Sequence, residues 1–442
     1  MLLRRAVLLV FVTLSWGLAQ TPGTSAKPSP LDLTGHWEGF VVAQGVRLGV
    51  SLDFVQTATT TSGLFTSETQ RAMDYPLASV AVNGHTLHFV LGDDMVFDGD
   101  LQADAITGTF KDPDQSGTFS LHRAAEKPLP YLLREVTFSN GDVKLAGTLM
   151  SPRTPGRHPA VVLLQGSGPE VRWGTNRFIA DRLARAGVVA LIYDKRGSGA
   201  SGGDWKTADY KDLALDALSG VALLRNEASV DPYRIGLHGH SQGGIIASEV
   251  AKLSPKSIAF IVAEDTVAGP VWEQDIYRVR NALAKNFKPA EAEAAMHLYS
   301  LFIEVALGKR PYEDLASASA AASKEPWFEW LGIPPRDSWL WSWYAKTGNV
   351  NTLENWREVR SPTLLVFGER DALVPVGESI AKIESELEKN DVPVTALIAP
   401  AAEHNLTIHP QPGEAFFWWK TAPGIVDAVV DWILQQPARV ER

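Results

Sequence analysis

The chain has 442 residues, 45% of them hydrophobic, a formal charge of -10 and no cysteine. That length exceeds one ordinary core and implies about two to three folded units. The missing cysteine excludes disulfides, thiolate metal sites, a cysteine nucleophile and a lipid anchor on cysteine, and the acidic balance argues against a nucleic-acid partner.

In chain order, Arg4 and Arg5 precede an apolar run from Ala6 to Trp16, and the small residues Gly17 and Ala19 follow. This is the pattern of a cleavable export signal, residues 1–19, cut after Ala19. A spanning helix needs about 20 apolar residues, more than this run supplies. The expected product is exported, periplasmic or extracellular, with no stable membrane anchor once the signal is gone. Residues 20–30, rich in Pro, Ser, Thr and Gly, read as a flexible tether.

Residues 31–123 have another texture. Short alternating runs such as Val46 to Phe54 and Thr86 to Val90 lie between turn signals, with Asn83-Gly84 a hairpin turn. They predict a small antiparallel β accessory domain. Its opening, Gly35-His36-Trp37-Glu38-Gly39, is similar to the start of small lipocalin-like barrels. No catalytic constellation stands out there. Residues 124–130, with two prolines, read as an interdomain linker.

From 131 to 442 a hairpin at Asn140-Gly141 leads into strands alternating with amphipathic segments. Pro159 to Leu164, Val188 to Tyr193, Arg234 to His238 and Ser257 to Val262 read as strands, followed after a gap by Thr363 to Phe367 and Val394 to Ile398. Alternation of this kind predicts an α/β fold with a parallel sheet covered on both faces. The gap, about 267–357, is helical and aromatic, with Asn281 to Phe287 and Ala290 to Leu307 as helices. It reads as a cap inserted among the sheet connections.

The pattern G-x-S-x-G occurs at Gly199 to Gly203 and at Gly239 to Gly243. A serine hydroxyl is activated by standing on a strained turn from a strand straight into a helix, and only the second copy has a strand before it and a helix after it. Ser241 is therefore the candidate nucleophile. A base and an orienting acid should follow in the order acid, histidine. Asp371 follows the strand Thr363 to Phe367 at its carboxyl end, with Glu369 and Asp265 as rivals. His404 follows the strand Val394 to Ile398, with His409 as fallback. The oxyanion of acyl transfer needs N–H donors, for which the backbone of Gln242 and of the turn Gln165-Gly166-Ser167-Gly168-Pro169 are the candidates, Ser167 ahead of Gly166. No histidine cluster has metal-ligand spacing, so neither metal nor cofactor is expected.

Four stretches carry a family resemblance: Leu164 to Pro169, Tyr193-Asp194-Lys195-Arg196-Gly197 with Gly199 and Ser201, Gly239 to Gly244, and Gly368 to Asp371. From about Arg134 onward the chain resembles bacterial α/β-hydrolase carboxylesterases of the carboxylesterase D type. The resemblance implies the α/β-hydrolase fold with a helical cap and a serine esterase acting on small-molecule esters. Thioesterase, lactonase or peptidase activity on the same triad is the alternative, and an exported ligand-binding protein the alternative from another class. Relatives of this look are called peptidases by analogy with propeller-bearing enzymes, but the N-terminal region is too short for a propeller. The Asp194-Lys195-Arg196 loop reads as an ion-paired structural turn. Seven of 14 tryptophans fall in the cap region. Trp339, Trp341 and Trp343 alternate, so on an extended stretch they would share one side, with Trp341 and Trp343 lining an apolar substrate pocket that would favour uncharged esters of short to medium chain.

Overall fold

The computed structural model describes residues 32–439, so the expected signal and tether lie outside the described residues. Eight antiparallel strands come first: β1 (Gly35–Ala43), β2 (Val46–Gln56), β3 (Thr61–Ser67), β4 (Ala72–Asn83), β5 (Thr86–Leu91), β6 (Met95–Leu101), β7 (Ala105–Lys111) and β8 (Ser116–Ala124). Each pairs with the next, and β8 returns to β1 to close a barrel. Alternate residues point inward, which is why β2 buries Leu48, Val50, Leu52 and Phe54 and leaves the intervening side chains more open. The interior is filled by aromatic rings. Phe89 stacks on Phe97 with centroids 4.4 Å apart, and Phe119 meets both edge-on. An eight-stranded barrel has an interior just wide enough for such side chains.

A mixed sheet follows. Its strands are β9 (Tyr131–Asn140), β10 (Val143–Pro152), β11 (His158–Leu164), β12 (Val189–Tyr193), β13 (Val230–His240), β14 (Ile261–Glu264), β15 (Thr363–Gly368) and β16 (Val394–Ala399). Their spatial order is β16-β15-β14-β13-β11-β12-β10-β9, parallel from β16 to β12 with an antiparallel hairpin at one edge. The chain goes from β11 to β12 on one side and returns to β13 on the other. That reversal is the switch point at which open α/β sheets bind ligands, beyond their carboxyl ends. One face is covered by α1 (Thr175–Arg185) and the C-terminal helix, the other by α2 (Tyr210–Arg225) and α3 (Gln242–Leu253).

Between β14 and β15 the chain forms α4 (Val271–Asn286), α5 (Pro289–Ala306), α6 (Tyr312–Ala322), α7 (Phe328–Leu331), α8 (Leu340–Thr347) and α9 (Thr352–Trp356). The first five share a separate apolar core built on Leu298, Phe302, Trp327 and Tyr344. After β15 come α10 (Val376–Glu388), the two-residue strands β17 (Thr407–Ile408) and β18 (Lys420–Thr421), and α11 (Ile425–Gln435). No helix among the described residues is long and apolar enough to cross a membrane.

Two expectations are corrected. Ser257 to Phe260 is not strand: a turn, with Ser257 N–H donating to the Ser254 carbonyl at 2.9 Å, keeps the chain bending until β14 begins at Ile261. Trp339 to Trp343 is helical rather than extended. The alternation has the period of a strand, but Ser338 Oγ accepts from Leu340 N–H at the start of α8, and the helix brings Trp341 and Tyr344 together on Phe302, each 5.4 Å away between ring centroids.

Barrel and sheet are clasped together. Met73 and Gly174 exchange backbone hydrogen bonds, Arg177 pairs with Asp74 at 2.7 Å, and Arg182 with Glu68 at 2.9 Å. The loop between β17 and β18 sends Trp418 into the barrel core, where its indole N–H donates to the Val46 carbonyl at 3.0 Å.

Candidate active site

Ser241 stands between β13 and α3 at φ 53°, ψ -115°, a left-handed conformation that costs a non-glycine residue about 1–3 kcal/mol. The turn is held from both sides, since Ser241 N–H donates to the Glu264 carbonyl at 2.7 Å and Gly244 N–H to the Ser241 carbonyl at 3.0 Å. The flanking glycines are demanded by close approach: a Cβ on Gly239 would sit 2.2 Å from the Gly243 carbonyl oxygen, and one on Gly243 2.5 Å from that of Leu164. Ser201, in the other copy of the pattern, is engaged elsewhere. Its hydroxyl donates to the Asp194 carbonyl at 2.7 Å and accepts from Ala146 N–H at 2.9 Å, tying the loop to β10.

His404 follows β16 and places its ring 5.1 Å from that of His240, the residue before Ser241. Its Nδ1 is 2.8 Å from Asp371 Oδ2. The other carboxylate oxygen of Asp371 accepts from Leu373 N–H at 2.7 Å and Val374 N–H at 3.0 Å, which fixes the buried acid. Of the rivals, Glu369 accepts from Ala401 N–H and His409 faces Glu403, while Asp265 accepts from Gly368 N–H through Oδ1 and keeps its buried Oδ2 without a hydrogen-bond partner, in the cluster with Asp371 and His404. Burial, with the negative charge of Glu264 next, pushes the Asp265 carboxyl well above the usual carboxylate range.

Burial opposes charging His404, but the hydrogen bond and charge of Asp371, with Asp265 and Glu264 beyond, prevail and raise its pKa above the ordinary value. For a histidine serving as general base, which must be neutral to accept a proton, a raised pKa delays activity to higher pH. We expect kcat/KM for a neutral ester to rise with pH through one inflexion above about 6.5. A profile flat from pH 5 to 9 would remove His404 from the rate-determining chemistry.

The turn after β11 lies beside the Ser241 helix. Gly166 N–H donates to Glu170 Oε2 at 3.2 Å, while buried Lys195 donates to the Gly166 carbonyl and, at 2.8 Å, to Gln242 Oε1. Lys195 therefore ties the two N–H-bearing segments, Gly166-Ser167 and Gln242, to each other. Burial pushes it down to about 8, with Glu170 opposing. The Asp194-Lys195-Arg196 loop is ion-paired as expected through Arg196 and Asp216, 2.7 Å apart. Sequence reasoning missed the bridge made by Lys195, although the residue lies in a stretch that carried the resemblance.

Arg71, in the turn between β3 and β4, was invisible to sequence reasoning. Its guanidinium reaches Glu264 at 3.0 and 3.3 Å and donates to the Asn405 carbonyl at 3.2 Å. Asn405 and Leu406 both have positive φ, so the barrel braces a strained segment next to His404. Nothing local marks a partner 193 residues away. Burial raises the Glu264 pKa, but Arg71 and His238 outweigh it and hold the carboxyl well below the usual range. We expect Arg71→Ala to destabilise the fold by about 3–5 kcal/mol, because it strands a buried charge. A urea midpoint within error of the parent would refute the clasp.

Among the described residues, two groups of potential ligand atoms gather within 4.8 Å, His240 with Glu264 and Asp265, and Asp265 with Asp371 and His404. Glu264 and Asp371 are already committed, to Arg71 and to His404 with two backbone N–H groups. Trp341 and Trp343 lie in α8, packed against the cap core. Trp341 meets Phe302 and Tyr312 edge-on and donates to the Pro335 carbonyl at 2.8 Å, and Trp343 meets Tyr344.

Comparison with known proteins gives a profile match to the Alpha/beta hydrolase family over residues 161–417. Esterase EstD of Thermotoga maritima is 29% identical over 147 residues, 31% of this chain and 35% of that protein, so the match spans about a third of the relative's own length. A Pseudomonas syringae protein provisionally named carbamate hydrolase RutD is 30% identical over 229 residues, 50% of this chain and 79% of its own. Among solved structures, the Pyrococcus furiosus esterase Pf2001 aligns at 23% identity and a TM-score of 0.43, covering 64% of this chain and 87% of that one.

Proposed function

The chain belongs to the alpha/beta hydrolase family, and from that premise we propose that it is a serine carboxylesterase of the carboxylesterase D type. Its substrates are uncharged carboxylic esters of short to medium chain, cleaved through an acyl-enzyme on Ser241. The observation that carries this reading is Ser241 at φ 53° on a strand-to-helix turn, with the His404–Asp371 pair closing over the same sheet edge.

Ser241 Oγ attacks the ester carbonyl carbon while His404 Nε2 takes the hydroxyl proton, and Asp371 holds the ring in the tautomer that exposes Nε2 as acceptor. Negative charge then gathers on the former carbonyl oxygen. Gln242, first in α3, supplies one backbone N–H there, aided by the helix N-terminus. Ser167 supplies the other in preference to Gly166, whose N–H is already given to Glu170. His404 protonates the departing alkoxide, and a water activated by the same imidazole releases the acid and restores Ser241.

The Thermotoga relative's name, esterase, supports this reading, and the other relative's name leaves amide-like carbamates as a second substrate class to be assayed. A fluorophosphonate probe should label the parent protein and not Ser241→Ala, beside turnover of p-nitrophenyl esters. Labelling with no hydrolysis across esters, thioesters, lactones and peptide amides would favour a binding protein. EDTA should leave the rate unchanged, and loss restored by a divalent ion would overturn the metal-free mechanism. Export rests on residues 1–19 and is tested by sequencing the N-terminus of the mature protein.

A further inference from the structure

A cavity of about 550 Å³ lies between the mouth of the barrel and the carboxyl edge of the sheet. Its barrel wall is largely apolar, with Val41, Leu48, Leu91, Met95 and the inserted Trp418, and its opposite wall carries Trp173. It also touches Gly166, His240 and Asn405, the chain neighbours of Ser167, Ser241 and His404. The cavity thus runs beside the segments that carry the turn, the serine and the histidine on which the proposed chemistry depends, and extends from them to the mouth of the barrel.

Size and polarity define the occupant. Sites for small organic ligands measure about 300–1,000 Å³ and are mostly apolar with a few placed polar groups. An acetyl group would leave such a space largely empty. The lining residues include Glu170, Glu264, whose carboxylate is paired with Arg71, Gln70 and Asn176, with no lysine or arginine among them. An anionic group therefore finds no counter-charge there, whereas a neutral apolar chain replaces water against Leu, Met and Trp surface. The cap offers less for this role, since the rings of Trp341 and Trp343 are engaged with Phe302, Tyr312 and Tyr344.

We propose that this cavity is the subsite for the long apolar arm of an uncharged ester, so that the N-terminal barrel, rather than the helical cap, sets substrate length. The inference rests on the esterase reading of Ser241 for its chemistry. It gives the barrel a share in specificity and gives Trp418 a second task, as part of the subsite wall as well as the barrel's plug.

The test measures kcat/KM for p-nitrophenyl esters from acetyl to dodecanoyl, and for acetyl esters of alcohols of graded length, with the full chain, Met95→Trp, Met95→Ala and Trp341→Ala. In one of the two series the parent should gain about fourfold per methylene until the cavity is full. Met95→Trp should cut the decanoyl or decyl ester by about tenfold or more and leave acetyl hydrolysis of the short alcohol within about threefold, while Met95→Ala should lengthen the preferred chain. Unchanged length profiles in both Met95 variants, or a profile shortened only by Trp341→Ala, would overturn the proposal. A separate reading uses Ser241→Ala protein and the uncharged apolar dye Nile red: binding that weakens about tenfold in the added presence of Met95→Trp supports the subsite, and binding indifferent to that change overturns it. Failure of the esterase reading shows instead as absent fluorophosphonate labelling and absent acetyl-ester turnover in the parent, whatever the dye does.

Discussion

Ser241→Ala should lower kcat for ester hydrolysis on the order of 10^5 to 10^6-fold, leaving only what the N–H donors and binding supply. The magnitude follows from how the group acts. Without the hydroxyl there is no atom to form the acyl-enzyme, and a neutral imidazole beside an empty site has nothing to deprotonate except water. Ser201→Ala is the control, because the same five-residue pattern surrounds it. Its hydroxyl bonds the Asp194 carbonyl and Ala146 N–H, so its removal should cost roughly 1 kcal/mol of stability and leave turnover within about threefold. Burst amplitude with p-nitrophenyl acetate, measured beside steady-state rates, separates the two variants. Comparable loss from both would sink the assignment of the nucleophile.

Asp371→Asn should cost on the order of 10^4 in kcat while the fold survives. The asparagine side chain is the same size, and its carbonyl oxygen can still accept from Leu373 and Val374 N–H. Its amide then turns an N–H towards His404 Nδ1, which stabilises the tautomer protonated on Nε2, the nitrogen that must accept from Ser241. The same change removes the main influence raising the His404 pKa, so burial is left with less opposition and the residual activity should show its inflexion at lower pH than the parent. A loss of less than about tenfold would move the acid elsewhere. Asp265→Asn is the informative comparison then, since Asp265 sits at the end of the neighbouring strand with one oxygen on Gly368 N–H.

The sequence by itself determined the elements whose signals are local. Ser241 was separable from Ser201 because strand, glycine turn and helix follow one another within a dozen residues, and the strained φ at Ser241 is what that succession produces. Asp371 and His404 were candidates for the same reason, each following an apolar run at the edge where parallel strands end, and their side chains meet at 2.8 Å. The alternating runs with Asn83-Gly84 likewise announced the antiparallel strands, because the side-chain period of a strand is written directly in the residues. Periodicity failed at Trp339, Trp341 and Trp343, where packing of α8 on Phe302 overrode an alternation that meant nothing for the backbone.

Only the tertiary structure decided which distant groups meet. The closure of β8 on β1, Trp418 inside the barrel, Lys195 between Gly166 and Gln242, and Arg71 on Glu264 and Asn405 all join residues far apart along the chain. Their driving force is the burial of aromatic surface and the pairing of charges that burial would otherwise strand, and both depend on how the elements pack against one another. For that reason a domain that reads as an accessory in sequence stands in three dimensions against the same sheet edge as Ser241.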